Sequence, residues 1–363
     1  MKNNHFFALL FIIIGIAFIS SCEPEVPTTE SSITISADIK GNTKWEGGKT
    51  YIVEKDNLYI DGELEIEPGT TIKMLSGGNI ILKQNGNLIC HGTKTEPIVF
   101  TSIKDDNHGS DSNKDGDNTI PAAGDWGFIN LYGTQNSVFE YCKFLYGGRD
   151  NANPTTVDVS SEAKAIFNNC TFAYNSGNQI NNLYIGALNA SNADKDTKIT
   201  NCNFYGNRIP LTIYSEMNID NSNKFSKEGL ANTYNGIYVV GDNIKRDISW
   251  LEDEVAFVVT SADLIISRGK SLTLGNNVAI KFAEDSQMTI QSGEEYLINH
   301  DGNGVFFTSL KDDEHKGDTN GDGKRTEPNI ADWRGIYLGN WKSTSSYATW
   351  PNILYNDPHQ GAK

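Results

Sequence analysis

From Ile33 onward the chain is written in apolar pieces of three to five residues, among them Tyr51-Ile-Val53, Leu58-Tyr-Ile60, Leu64-Glu-Ile66, Ile72-Lys-Met74, Ile80-Ile-Leu82, Leu88-Ile-Cys90 and Ile98-Val-Phe100. Gly, Asn, Pro and Asp separate them, and no helical periodicity develops. Pieces this short cannot build an ordinary long-stranded sandwich. They suit a chain that coils repeatedly, each turn adding one short strand to each of several parallel sheets, so that inward residues stack into one continuous core. The corners of such a coil need left-handed backbone, which Asn and Gly supply most readily.

The middle segment repeats more openly. Ser137-Val-Phe-Glu-Tyr-Cys142-Lys-Phe144-Leu-Tyr146 is followed by Ala165-Ile-Phe-Asn-Asn-Cys170-Thr-Phe172-Ala-Tyr174, then by Lys198-Ile-Thr-Asn-Cys202-Asn-Phe204-Tyr205, and by a degenerate Met217-Asn-Ile-Asp-Asn-Ser222-Asn-Lys-Phe225. The cysteine spacings, 170 − 142 = 28 and 202 − 170 = 32, fit one coil with a variable loop. Cys-x-Phe at one point of each coil places thiols and rings in inward stacks, and the asparagines before the cysteines could form an amide ladder at a corner. Cys90, Cys142, Cys170 and Cys202 are expected as free, buried thiols, since cysteines at apolar strand positions behave as small hydrophobes. The alternative, a metal site of sulfurs at rung spacing, lacks an accompanying histidine. This pattern resembles the right-handed parallel β-helix repeat of pectate-lyase-like proteins. The expected fold is therefore all-β, a β-solenoid of two related blocks with long acidic loops.

The blocks show themselves in a duplication. Phe100-Thr-Ser-Ile-Lys-Asp105-Asp106-Asn-His108-Gly-Ser-Asp111-Ser-Asn113-Lys-Asp115-Gly116 returns as Phe307-Thr-Ser-Leu-Lys-Asp312-Asp313-Glu-His315-Lys-Gly-Asp318-Thr-Asn320-Gly-Asp322-Gly323. The offsets 312 − 105, 318 − 111 and 322 − 115 are all 207, and Asp125-Trp126 and Asp332-Trp333 keep the same offset. Constant spacing of this kind marks one structural unit used twice. Ile72-Lys73 answers Ile280-Lys281, and Trp45 and Trp250 open the two blocks.

Each copy holds Asp-x-Asn-x-Asp-Gly. Oxygen side chains at alternate positions, followed by a glycine that permits a sharp turn, can wrap one hard cation such as Ca²⁺. The twelfth position, where an EF-hand has Glu, is Ala122 or Asn329, so neither loop is an EF-hand. The expected ligands are Asp105, Asp106, Asp111, Asn113 and Asp115 in the first copy, and Asp312, Asp313, Asp318, Asn320 and Asp322 in the second. Asp125 and Asp332 are further candidates for the closing carboxylate. The competing reading is a solvated acidic loop whose Asn and Gly residues make turns.

Residues 1–21 read as a signal peptide: Lys2 is followed by an apolar run from Phe6 to Ile19, too short to span a bilayer as a helix. The run ends in Ile19-Ser-Ser-Cys22, which resembles the bacterial lipobox and implies that Cys22 is diacylated and tied to a membrane. Residues 22–32 then form an acidic, Pro-rich tether, 33–249 the first block with the cysteine rungs, and 250–363 the second. The segment Trp350-Pro-Asn-Ile-Leu-Tyr355 is a candidate cap for the open end of the coil. A formal charge of −16 argues against a nucleic-acid partner, because phosphate contacts need a basic surface.

Taken together, Leu64-Glu-Ile-Glu-Pro-Gly-Thr-Thr-Ile-Lys73, Glu96-Pro-Ile-Val-Phe-Thr-Ser102, the acidic loops, Gly124-Asp-Trp-Gly127 and Tyr146-Gly-Gly148 resemble surface lipoproteins of Bacteroidota that carry a right-handed parallel β-helix, over roughly residues 45–345. That resemblance implies an outer-membrane, outward-facing address and leaves activity open. Two function classes remain. One is a non-catalytic module that binds a glycan or protein partner, with Tyr132, Tyr146, Tyr174 and Tyr205 as candidate contact rings and structural calcium in the loops. The other is a lyase or glycoside hydrolase acting on an acidic glycan, with Arg149, Arg208 or Lys143 as base, or a carboxylate pair such as Asp158 with Glu140 or Glu162.

Overall fold

The computed structural model describes residues 32–357 apart from 134–135, 150–153, 181–182, 261–262 and 340–345. Cys22 and the expected signal peptide lie outside the described residues.

The chain visits three sheets in rotation. The first has seven parallel strands, from Ile33–Ile35 to Asn203–Tyr205; the second has eleven, from Ile39–Lys40 to Phe306–Ser309; the third has six, from Thr43–Trp45 to Lys198–Thr200. Beyond these, the second sheet continues while two others take over the remaining sides: a fourth sheet beginning at Asn243–Ile244 and a fifth beginning at Ile248–Trp250. This is the right-handed parallel β-helix expected from the sequence. The second sheet and a single core running from Ile39 to Ala348 join both blocks into one coil.

The rungs are built as the short apolar pieces require. Alternate residues of Asn79–Leu82 and Gln287–Ile290 are buried. Phe100, Phe144, Phe172, Phe204 and Phe225 stack along the first sheet with centroids 5.2, 4.7, 5.0 and 5.2 Å apart. At roughly 2–3 kcal/mol per buried ring, this column contributes more than any one loop contact. Tyr141, Asn169 and Asn201, each just before a rung cysteine, hold left-handed backbone with φ of 48°, 56° and 54°. That explains the asparagines there. Asn201 Nδ2 does donate to Asn168 at 3.1 Å, but the continuous amide ladder forms elsewhere. Asn175 Nδ2 donates to Asn207 Oδ1 and Asn207 Nδ2 to Asn232 Oδ1, each at 2.9 Å, and all three residues are buried. Cys90, Cys142, Cys170 and Cys202 are free and buried.

The far end of the coil is covered by the tail, and the way it is covered explains its sequence. In the first block, Trp126 Nε1 donates to the Leu145 carbonyl at 2.7 Å and Asp125 N to the Tyr146 carbonyl at 2.9 Å, both on the next rung. In the second block, Trp333 Nε1 donates to the Leu354 carbonyl at 2.8 Å and Asp332 N to the Tyr355 carbonyl at 3.1 Å. Leu354-Tyr355 thus stands where Leu145-Tyr146 stood, with Tyr355 and Tyr146 both left-handed. Ile353 bridges Phe307 as Phe144 pairs with Phe100. The tail is a one-strand imitation of a rung, sealed by Trp350 stacking on His300 at 3.8 Å.

At the corner after Trp250 sits a carboxylate that the fold barely accommodates. Glu252 is buried; Oε1 accepts the N–H groups of Asp253 and Glu254 at 3.1 and 2.8 Å, while Oε2 has no hydrogen-bond partner. Burial pushes its carboxyl up to about 7, against the Glu254 N–H and Lys224, which favour the charged form. The folded state therefore holds the proton more tightly than the unfolded chain. Stability falls as pH rises from about 4.5 to 7, by roughly 3 kcal/mol in total, and is flat above that range. Glu252→Gln removes the charge, so its melting temperature is expected to gain on the parent between pH 4.5 and 7 and to hold the gain at pH 8. A gap between the two proteins that stays constant across that range, measured by scanning calorimetry, would contradict this.

Candidate functional site

The acidic loops are residues 103–128, between the first and second sheets, and 310–334, between the second and fourth. Both are anchored by the same set of contacts. In the first, buried Asp105 Oδ2 accepts from Thr101 Oγ1 at 2.6 Å and lies 2.8 Å from His108 Nδ1. Asp125 accepts from Ser102 Oγ at 2.9 Å, Lys104 Nζ at 2.7 Å and the Ala122 N–H at 2.9 Å. In the second, Asp312 Oδ2 takes Thr308 at 2.5 Å and His315 at 2.7 Å, and Asp332 takes Ser309, Lys311 and the Asn329 N–H at 2.7, 2.8 and 2.9 Å. Burial by itself would raise the Asp105 and Asp312 carboxyls. The bonds from threonine and histidine outweigh it and hold both below the usual carboxylate range.

Each loop folds back over the sheet before it and buries a lysine. Lys73 and Lys281 have no exposed surface. Lys73 Nζ donates to the Ser110 carbonyl, and Lys281 Nζ to the Gly317 carbonyl at 2.6 Å. Burial lowers Lys73, and draws Lys281 down to about 8. The nearby loop carboxylates, Asp106, Asp105 and Asp111 in one case and Asp312, Asp313 and Asp318 in the other, resist that shift. The sequence paired these lysines by position but gave them no role; a lysine inside an apolar strand, facing an acidic loop, is the signal that was available.

Of the expected ligands, the structure brings together Asp106, Asp111 and Asp115, with carboxylate oxygens within 4.8 Å of one another, the one such trio among the described residues. Asp111 accepts the N–H groups of Asp115 and Gly116 at 3.2 and 3.0 Å, which curls the loop. Asp106 Oδ1, Asn113 Oδ1 and Asp115 Oδ1 are buried with no hydrogen-bond partner. Burial, then the charges of Asp111, Asp115 and Asp117, raise the Asp106 carboxyl, with Lys73 opposing. Like charges packed together beside unsatisfied oxygens form a donor set that suits a hard cation. Asp105 is engaged by its threonine and histidine and is not part of the trio. In the second loop Asp313 Oδ1 also lacks a partner and its carboxyl is likewise raised, first by burial. There Asp318 accepts the N–H groups of Gly321 and Gly323 at 2.6 and 2.7 Å as Asp111 accepts two in the first loop, and Thr326 bonds Asp322 as Thr119 bonds Asp115; the difference is that Asn320 Oδ1 takes the Asp322 N–H and Asp322 Oδ1 the Arg325 N–H.

The residues a catalytic reading needs are dispersed. Arg149 donates to Ser76, and Arg208 to Asn178 Oδ1 at 2.8 Å and to the Gly177 carbonyl at 3.3 Å. Lys143 is half-buried on the first sheet, in register with Val99 and Thr171. Asp158 is buried on the second sheet and accepts from Asn130 and Asn189 at 3.0 and 2.9 Å. Glu140 pairs with His91 at 2.8 Å on the third, and Glu162 stands at the corner between those two sheets. Tyr146 and Tyr174 stack at 5.7 Å, with Tyr205 edge-on to Tyr174; Tyr174 and Tyr132 are exposed.

Residues 37–158 match a family model described as a pectate-lyase like beta helix domain. The match spans the first coils, including the whole first acidic loop. Comparison with curated proteins and with solved structures finds no match.

The anchors predict a split in mutational effect. Asp105→Ala and Asp312→Ala each leave buried donors unpaired and are expected to cost about 2–3 kcal/mol by denaturant titration, with faster tryptic cutting in the affected loop. Asp111→Ala, on an exposed residue, is expected to cost about 1 kcal/mol or less without added metal. Equal costs for all three would refute the assignment of anchoring to Asp105 and Asp312.

Proposed function

We propose that this chain is a cell-surface lipoprotein, held to the outer membrane by a diacylated Cys22, and that its β-helix serves as a non-catalytic module for adhesion or for binding a glycan or protein partner. In the same reading its acidic loops are stabilised by calcium. The lipobox and acidic tether support the address. The observation that carries the non-catalytic side is the engagement of Arg149 and Arg208, two of the three candidate bases. A lyase needs a free Arg or Lys poised over substrate, whereas the Arg149 and Arg208 guanidinium groups bond to corner residues. The alternative, a polysaccharide lyase or glycoside hydrolase acting on an acidic glycan, draws support from the family match over residues 37–158. Release of unsaturated product from polygalacturonate, lost in Arg149→Ala or Arg208→Ala, would establish it.

The calcium reading rests on the unpartnered oxygens of Asp106, Asn113 and Asp115. Asp111 contributes a further carboxylate, and the loop beneath is already held by Asp105 and Lys73, so a cation there would tie a surface excursion rather than meet a substrate. Extracellular calcium modules bind at about 10⁻⁴–10⁻³ M. At roughly ten times the dissociation constant, one such site adds about 1.4 kcal/mol. The melting temperature is therefore expected to rise in millimolar Ca²⁺, the rise to shrink in Asp106→Asn and to vanish when Asp313→Asn is added, and trypsin to cut near Lys114 faster in EDTA. No Ca²⁺-dependent shift in the parent protein would end the calcium reading.

For the address, the full chain expressed in a Gram-negative host is expected in the outer-membrane fraction and cleavable by protease on whole cells. Cys22→Ser is expected to leave the membrane fraction. Retention of that variant in the membrane would refute the lipid anchor.

A further inference from the structure

One concavity on the coil is lined by no residue of either acidic loop. It is a groove of about 540 Å³ at the corner between the second and third sheets, walled by Ser160, Glu162, Asn192, Asp194, Tyr214 and Glu216. Three successive coils build it. The Glu162 N–H donates to the Asn192 carbonyl at 2.9 Å, and Ala190 pairs with Ile213 just before Tyr214. Tyr214 is half-buried and its ring is seated over Gly241, where a Cβ would lie 2.6 Å from ring carbon Cε2. Glu216 is held by the Lys245 N–H at 2.6 Å. Ser161 and Glu162 both hold left-handed backbone, φ 53° and 58°, which turns the chain from the second sheet to the third.

Through Lys195 this groove adjoins a second of about 440 Å³ on the third sheet, where Lys164, Lys198 and Arg246 face Asp196 and Asp220. Arg246 is fixed by Asp196 at 2.7 Å. The two grooves stand side by side on the same coils, so each carries its own charge: carboxylates predominate beside Tyr214, and cations outnumber Asp196 and Asp220 in the second. A polyanion lying along the first groove meets repulsion from Glu162, Asp194 and Glu216 on successive coils. An uncharged polyol meets none. Its hydroxyls donate to Glu162, Asp194 and Glu216 and accept from Lys195 and Asn192, and its C–H face can lie on the Tyr214 ring. Successive coils stand about 4.8 Å apart, comparable to one pyranose, so a sugar chain along the axis meets equivalent positions on each rung.

We propose that this corner groove binds an uncharged glycan chain lying along the coil, with Tyr214 as its stacking platform. The assignment rests on the surface-binding reading above and names its ligand class. It is tested by affinity electrophoresis of the folded protein in native gels containing galactomannan, xyloglucan or polygalacturonate. Retardation is expected in at least one neutral gel and not in polygalacturonate. Tyr214→Ala is expected to weaken it by about tenfold or more, the equivalent of about 1.4 kcal/mol. Because Tyr214 also touches the core, the exposed-rim double variant Asn192→Ala/Lys195→Ala is run beside it, and it too is expected to weaken retardation at an unchanged melting temperature. Retardation by polygalacturonate alone, or neutral retardation that neither variant alters, overturns the assignment and leaves the surface-binding reading standing. Retardation in no gel also overturns it, and the whole-cell experiment with Cys22→Ser then judges the surface reading separately.

Discussion

Everything in this molecule depends on in-register parallel pairing between successive coils. A strand of three to five residues has too few hydrogen bonds and too little apolar area to persist alone. It persists because each neighbour above and below supplies the same pairing, and because the in-register repeat puts like side chain over like. That is why Phe100, Phe144, Phe172, Phe204 and Phe225 form one column, and why Asn175, Asn207 and Asn232 satisfy one another while fully buried. An isolated buried amide would be costly. In a ladder each amide is both donor and acceptor to its neighbours, so the cost is confined to the ends.

The same dependence makes ends and excursions the vulnerable places, and the chain treats both in one way. Where a long loop leaves the coil, a tryptophan and an aspartate reach to the backbone of the next rung. Where the second sheet ends at Phe306–Ser309 among the described residues, residues 351–357 imitate a further rung, offering Leu354 and Tyr355 to the same two partners. The cap is therefore a strand-length copy of what the loop module needs, not a separate device. Exposed sheet edges invite foreign strands, and this arrangement covers the edge with the chain's own backbone.

Short alternating pieces, Asn and Gly at corners and the Cys-x-Phe repeat were enough to read the coil and the burial of all four thiols from the sequence, because stacking turns local pattern directly into core. The acidic loops were legible as a repeated unit, but their internal division of labour was not. Asp105 and Asp106 are adjacent and look equivalent in sequence; one faces Thr101 and His108, the other faces Asp111 and Asp115. Which way an aspartate turns is decided by contacts across the loop, and no spacing rule encodes that. Lys73 and Lys281 were overlooked for the same reason: an outward strand position normally means solvent, and only the folded-back loop buries it. The cap's kinship to Leu145-Tyr146 was visible as a Leu-Tyr dipeptide, a signal too short to weigh without the backbone bonds that give it meaning.

The two loop modules share their spacing yet stand on different sheets. Lys73 and Thr101 pair on the first sheet, Lys281 and Thr308 on the second, so the second copy is displaced by one face around the coil. Nothing in the module resists that displacement. The anchors that the two copies share lie within the module, on the strand beneath it or on the rung that follows. It asks of the fold only two adjacent parallel strands, an inward aromatic and a backbone to receive the tryptophan. A solenoid provides these on every side, since its faces differ in side chains and not in hydrogen-bond geometry. The consequence is that the loops emerge on different sides of one rod. The groove beside Tyr214, built from coils between the two modules, takes no lining residue from either.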